Sequence, residues 1–209
     1  MNATRQTRGE WESLAHEWDR ARRRAWPAVA AFAESFGAPD HVLDVAAGNG
    51  RHGVLANKNG ADVVAADFSR SLLAFAHERG LSVVQSDARD LPFAASTFDG
   101  ALFVAGLHCI PGRAARVGAL AELRRVVKPG GRALVTVWSR FREKGARGWF
   151  LADADVPWGD VARYYHFYTP VELVADCKAA GWRDVRLSGE KIARTATWLP
   201  DNWFVHLQA

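Results

Sequence analysis

Cysteine is scarce in this chain: Cys109 and Cys177 are the only two in 209 residues, far apart and without ligand spacing. Neither a disulfide framework nor a thiolate metal site is expected, nor any other bound metal, and a reducing compartment with inert thiols follows. Long apolar runs are also missing. Ala101–Ile110 is about half of the roughly 20 residues that a membrane span needs. Met1–Trp18 is polar and lacks the apolar stretch of a secretory signal, so the expectation is a cytoplasmic protein with no membrane attachment. Internal repeats and low-complexity segments are absent.

Charge is nearly balanced, 27 basic against 23 acidic residues, a net of +4, but it is clustered. Arg20, Arg22, Arg23 and Arg24 crowd one stretch. Arg113, Arg116, Arg124, Arg125 and Lys128 flank Glu122, and Arg140, Arg142, Lys144 and Arg147 surround Glu143. Such clusters either bind phosphates or form solvated faces.

What is present reads as one domain over residues 1–209. Residues 1–36 read as an N-terminal helical cap, with helix over 10–36, apolar positions at Trp11, Leu14, Trp18, Val29, Phe32 and Phe36, and a break at Pro27. Strands and helices then alternate. Strands are expected at 41–45, 62–66, 81–85, 100–105 and 132–138. Helices are expected at 51–59, from Ser69 to Gly80, and at 114–127, the last stopped by Pro129-Gly130-Gly131. That rhythm predicts an α/β fold with a parallel sheet covered on both faces. Residues 139–168 read as an irregular insertion on the substrate side. A helix at 170–180 and two strands, 182–187 and 203–208, follow; the short link between these strands predicts an antiparallel pair.

The chemistry-bearing residues sit after the strands. Leu43-Asp-Val-Ala-Ala-Gly-Asn-Gly50 joins the first strand to the first helix, with Asp44 at the strand end and Gly48 and Gly50 letting the backbone turn and approach a ligand. Taken alone, Gly48-Asn-Gly50-Arg-His-Gly53 also fits a nicotinamide cofactor. Asp67 ends the second strand, where a carboxylate binds a ribose diol of either cofactor. Ser86-Asp87-Ala88-Arg89-Asp90-Leu91-Pro92-Phe93 ends the third strand, Thr97-Phe98-Asp99-Gly100 opens the fourth, and Lys128-Pro-Gly-Gly131 precedes the fifth.

This series resembles the class I S-adenosylmethionine-dependent methyltransferases. The resemblance implies a Rossmann-like, seven-stranded, mostly parallel sheet with an antiparallel C-terminal strand and helices on both faces. It also implies S-adenosylmethionine as cofactor, held by Asp44, Ala46, Gly48, Gly50, Asp67, Phe68, Asp87, Ala88 and Val104, with the acid at 87 near the adenine amino group. Ala46 departs from the glycine common at its place.

A narrower likeness covers about Arg22 to Val205. The chain is similar to the methyltransferases that esterify 5-carboxymethyluridine at the tRNA wobble position, the methyltransferase domain of the AlkB-like tRNA-modifying protein among them. Arg22-Arg-Arg-Ala-Trp26-Pro27, Leu107-His108-Cys109 with Arg116, Val137-Trp138, Val156-Pro-Trp158, Arg163-Tyr-Tyr-His166 and Asp201-Asn-Trp-Phe-Val205 carry it. Cys109 replaces the second histidine of that group's pair, and residues 189–200 match nothing in it. The likeness implies a tRNA anticodon loop as partner and a small zinc-binding activator at the sheet edge, where the third strand lies. Arg22 and Arg163 are expected to grip the acceptor carboxylate, and His108 to orient it, with Asp153, Tyr165 and His166 as further candidates; Trp138 and Trp203 are expected to stack on a base. Other readings stay open. His108 and most of the nine tryptophans also suit core packing. The acceptor is alternatively a small molecule, a quinone precursor or carboxylic acid, and a cofactor-free scaffold is the non-enzymatic reading.

Overall fold

The computed structural model describes residues 3–141, 152–190 and 200–209, with side chains from Arg8 onward. Arg142, Glu143, Lys144 and Arg147 of the third basic cluster, and residues 191–199 of the unmatched stretch, lie outside them.

Helix α1 spans Ala3–Ala21 and α2 spans Pro27–Ala33, with Pro27 at its first turn. Trp26, held extended at φ −75° and ψ 136° by the following proline, separates the two. The alternating units follow: β1 His41–Val45, α3 Gly53–Lys58, β2 Asp62–Asp67, α4 Arg70–Glu78, β3 Ser82–Gln85 and β4 Phe98–Val104. Ser69 caps α4, its hydroxyl accepting from the Leu72 amide at 3.2 Å. A 3₁₀ turn at Leu107–Cys109 leads into α5, Arg113–Val126. Strand β5 runs Val127–Trp138, straight through Pro129-Gly130-Gly131. The expected stop is instead an irregularity inside the strand: Phe98 pairs with Val127 but Gly100 with Arg132, and Gly130 absorbs the kink at φ +81°.

Residues 153–166 form a hairpin rather than irregular chain. Strands β6 Asp153–Trp158 and β7 Val161–His166 pair antiparallel across a two-residue Gly159-Asp160 turn, with Gly159 at φ +58°. After α6, Pro170–Ala179, come β8 Asp184–Glu190 and β9 Asn202–Gln208.

The main sheet has the order β3-β2-β1-β4-β5-β9-β8. Strands β1 to β5 are parallel neighbours, and β9 runs antiparallel between β5 and β8. One apolar cluster covers one face, with Phe103, Leu120, Val135 and Trp203; a second covers the other, with Phe36, Val42, Leu102 and Phe204. Burial on both faces is why the central strands read as unbroken apolar runs. A third cluster docks α1 onto α4 through Trp11, Ala15 and Leu72. Strand order reverses between β1 and β4, and the loops there meet closely: a Cβ on Gly106 would stand 2.5 Å from that of Ala46. A crevice at such a reversal, at the carboxyl ends of the strands, is where open α/β sheets bind ligands.

Candidate functional site

Two adjoining cavities open at that point. The first is lined by Ala46, Gly48, Asp67, Phe68, Asp87, Ala88 and Val104 from the strand ends and by Trp11, Trp18 and Leu72 from the helices. Asp67 organises it. Its carboxylate accepts from Gly48 N at 2.8 Å and from Ser69 N at 2.9 Å, and burial pushes its pKa up to about 6. Asp87 accepts from the amide and Nε of Arg89, at 2.9 and 2.8 Å. Burial raises its pKa, but the Arg89 bonds outweigh burial and hold it below the usual carboxylate range. Ala46 keeps the loop in shape by adopting φ +51°, a conformation in which an L-residue is strained.

Two of the expected cofactor contacts lie behind this wall. The Asp44 carboxylate is 1% exposed and accepts from Gly53 N at 3.0 Å, tying β1 to α3; burial pushes it up to about 7. Gly50 stands at φ +74°, and a Cβ there would meet Leu81 Cδ1 at 2.8 Å and Ala76 Cβ at 2.9 Å. Its backbone approaches the β3 and α4 side of the fold, not a ligand.

The residues fit S-adenosylmethionine. Gly48 presents open backbone, a Cβ there meeting only Trp18 Nε1 at 3.8 Å. Ser86 Oγ is buried at the wall without a hydrogen-bond partner. Asp67 offers a carboxylate for a diol, and Asp87 keeps acceptor capacity for an amino group.

The second cavity has a different character. Arg20, Arg22, Arg23, Arg24 and Arg51 line it together with Trp18, Trp26, Trp138, Tyr165, His108 and Asn202, and no carboxylate is among its lining residues. Trp138 stacks on Tyr165 at 4.3 Å between centroids and 5° between planes, and His108 lies 5.2 Å from Trp138. Trp138 N donates to His108 Nδ1 at 3.2 Å, so that nitrogen carries no proton. Arg22 sits over the rings of Trp18 and Trp158, at 5.3 and 5.2 Å. Burial, together with the nearby Arg163, lowers the Arg22 pKa. Arg51 is lowered to about 10 by burial and by Arg22.

Arg163 lies behind this cavity's wall, 2% exposed, with Cζ 4.7 Å from the Trp11 ring and 5.2 Å from those of Trp158 and Tyr165. Its Nε and Nη1, and Trp158 Nε1, are buried without acceptors.

The remaining expected residues fall elsewhere. Strand alternation sends Arg163 and Tyr165 of β7 to one side and His166 to the other. There His166 Nδ1 meets Asp153 at 2.7 Å and Nε2 meets Glu172 at 2.7 Å. Tyr164 donates to Asp153 at 2.6 Å. Asp153 and His166 therefore pin the hairpin to α6 and line neither cavity. Trp203 is core: its Nε1 donates to Tyr168 O at 3.1 Å, and it packs against Phe141. Arg116 is 3% exposed and bonds Tyr168 Oη at 2.9 Å. Cys109 lines the first cavity with a thiol that burial pushes up to about 12, inert at neutral pH.

Arg51, His52 and Asn202 were not foreseen. The first two directly follow the glycine loop, and burial followed by Arg51 holds His52 neutral, well below its ordinary pKa. For Asn202 the signal was strand register. It pairs with Trp138 across β5 and β9 and so shares its face, whereas Trp203 pairs with Val137.

These features define a cofactor-binding α/β fold with a cationic, aromatic cleft beside its cofactor crevice. The chain belongs to the S-adenosylmethionine-dependent methyltransferases. Residues 43–135 match the methyltransferase domain family. A protein of Encephalitozoon cuniculi named as a methyltransferase is 31% identical over 183 residues, 83% of this chain and 85% of that one. The tRNA (carboxymethyluridine(34)-5-O)-methyltransferase of Arabidopsis thaliana is 35% identical over 133 residues, 64% of this chain but 32% of that protein, so the chain spans about a third of its length. A demethylmenaquinone methyltransferase of Mycobacterium marinum is 42% identical over 116 residues, 56% of this chain and 49% of that one. Among solved structures, a Haloferax volcanii methyltransferase in complex with the Trm112 methyltransferase activator matches with a TM-score of 0.72 at 17% identity, covering 97% of each chain. Among the described residues, no helix is long and apolar enough to cross a membrane.

Proposed function

We propose that the chain transfers a methyl group to the carboxylate of 5-carboxymethyluridine at the tRNA wobble position, forming a methyl ester. The observation that carries this reading is the second cavity, with its five arginines, its tryptophans and no lining carboxylate, beside the cofactor cavity. Such a cleft suits an acceptor that joins an anion to a stacking base. The likeness to the Arabidopsis tRNA methyltransferase supports it.

The chemistry needs no strong base. A carboxymethyl group titrates near pH 4, roughly as Glu does, so the acceptor enters as an anion. Bound S-adenosylmethionine supplies a sulfonium-activated methyl. The chain's task is to hold one carboxylate oxygen in line, at roughly 3 Å. Arg22 grips the carboxylate at the cavity wall, and Arg163 behind the aromatic wall adds positive potential without contact. His108, its ring fixed by the Trp138 amide, orients the base, while Trp138 and Tyr165 form the stacking surface. Asp67 binds the cofactor ribose, and Asp87 with Ala88 borders the adenine.

The same reading places the protein in the cytoplasm, with the arginines of 20–24 on tRNA phosphates. It also places a small zinc-binding activator along β3, one of the two edge strands of the described sheet, and the Haloferax complex supports such a partner. A small-molecule acceptor is the second reading, favoured by the Mycobacterium marinum relative. The five arginines weigh against a neutral quinone precursor but not against a small carboxylic acid.

The test is methyl transfer from labelled S-adenosylmethionine to bulk tRNA from cells lacking this gene, followed by mild alkali. Label that enters tRNA and leaves as volatile methanol is the expected result. Alkali-stable label, or none with and without an activator subunit, overturns the reading.

A further inference from the structure

Among the described residues that line the second cavity, Asn202 holds a buried side-chain acceptor without a hydrogen-bond partner. The residue is 1% exposed, and its Oδ1 has no hydrogen-bond partner. Its orientation is fixed chemically. Nδ2 donates to Asp201 Oδ1 at 2.7 Å, and reversing the amide would set two oxygens against each other. The acceptor end is thus held away from Asp201, on the strand face that carries Trp138. An unsatisfied buried acceptor is costly, and a ligand donor in the cavity would remove that cost.

Of the other polar groups at this wall, His108 Nδ1 is an acceptor already taken by the Trp138 amide. The lining arginines cannot accept. They recognise an anion and are indifferent to the base that bears it. Asn202 is the group that can tell one base from another.

We infer that Asn202 is a specificity-determining residue that accepts a hydrogen bond from the N3–H of a uracil ring stacked near Trp138. Uracil carries a proton at N3, where cytosine carries a lone pair. A cytosine in the same pose sets that lone pair against Oδ1, so the asparagine selects uridine over cytidine. The inference rests on the wobble-uridine reading and adds to it which group reads the base.

The test uses anticodon-loop oligonucleotides carrying 5-carboxymethyluridine, 5-carboxymethylcytidine or N3-methyl-5-carboxymethyluridine, with methyl-ester formation as readout. Wild-type protein should prefer the first over either analogue by about 100-fold or more in kcat/KM, as expected where a site is built to satisfy a ligand N–H. Asn202→Ala and Asn202→Ser should shrink the preference over cytidine to less than about tenfold, chiefly through loss on uridine. S-adenosylhomocysteine binding should stay intact, because Asn202 lies outside the cofactor cavity. Equal wild-type rates on all three oligonucleotides, or an unchanged preference in a variant that binds S-adenosylhomocysteine, overturns the inference alone. If neither variant folds, the wild-type ratios decide it. No ester on any oligonucleotide overturns the wobble-uridine reading and this inference with it.

Discussion

Gly48 donates its amide to the Asp67 carboxylate across 2.8 Å, which fixes the glycine loop to the end of β2. Burial raises this carboxyl to about 6, so it ionises just below neutral pH. Ribose hydroxyls donate best to the ionised form. S-adenosylhomocysteine affinity should therefore fall as pH drops through about 6, by up to about tenfold per unit below it. Asp67→Asn should bind more weakly at neutral pH and lose the pH dependence. Calorimetry across that range checks both.

Asp44 predicts a stability effect of defined sign. Its folded pKa is raised to about 7 by burial, so the folded chain holds a proton that the unfolded chain releases. The resulting stability is full below the ordinary carboxylate range and is lost as pH rises through about 7. Asp44→Asn keeps an oxygen for the Gly53 amide and carries no titrating proton. The melting temperature of the variant relative to wild type should climb between about pH 4 and pH 7 and then level off. A difference independent of pH would contradict this.

Ala46→Gly removes left-handed strain of about 1–2 kcal/mol, against a backbone entropy cost of about 0.5–1 kcal/mol. The melting temperature should stay level or rise by about 2–4 °C, with S-adenosylhomocysteine affinity undiminished. A clear fall would show that the methyl packs usefully at Gly106.

The succession of strands and helices along the chain was legible because its signals are local. Pro27, Ser69 and the apolar runs after His41 and Asp62 each act within a few residues. Asp67 and Gly48 were legible for the same reason, since strand ends carry the crevice. The hairpin is not legible although Gly159-Asp160 sits between segments alternating at Val156, Trp158 and Val161, Arg163; Pro157, inside β6, reads as a loop signal and masks the period. Gly50 and Asp44 are needed for packing by elements distant in sequence, which their motif does not reveal. Trp203 packs in the core rather than on a base because the register of β9 against β5 is set only in the folded sheet.

Arg22 should act on the acceptor rather than on the cofactor. Arg22→Ala is expected to raise KM for tRNA or lower kcat/KM by about 10–100-fold, the worth of a charge-assisted hydrogen bond. Arg22→Lys should recover part, keeping the charge but not the fork. Steady-state kinetics with S-adenosylhomocysteine calorimetry as control decides it; equal loss of cofactor affinity would contradict the placement.

His166→Ala leaves Asp153 and Glu172 facing each other without their bridge. A loss of about 1–3 kcal/mol is expected, discounted because Asp153 is largely exposed. Since the hairpin carries Tyr165 to the wall of the second cavity, KM for the proposed acceptor should rise while cofactor affinity holds. Chemical denaturation and kinetics together test this.

The most direct measurement digests the treated tRNA to nucleosides and follows them by chromatography with mass detection. The account predicts that 5-carboxymethyluridine is consumed and its methyl ester appears in equal amount. Methyl on any other nucleoside, or an unchanged nucleoside profile while the enzyme methylates a small acid, would contradict it.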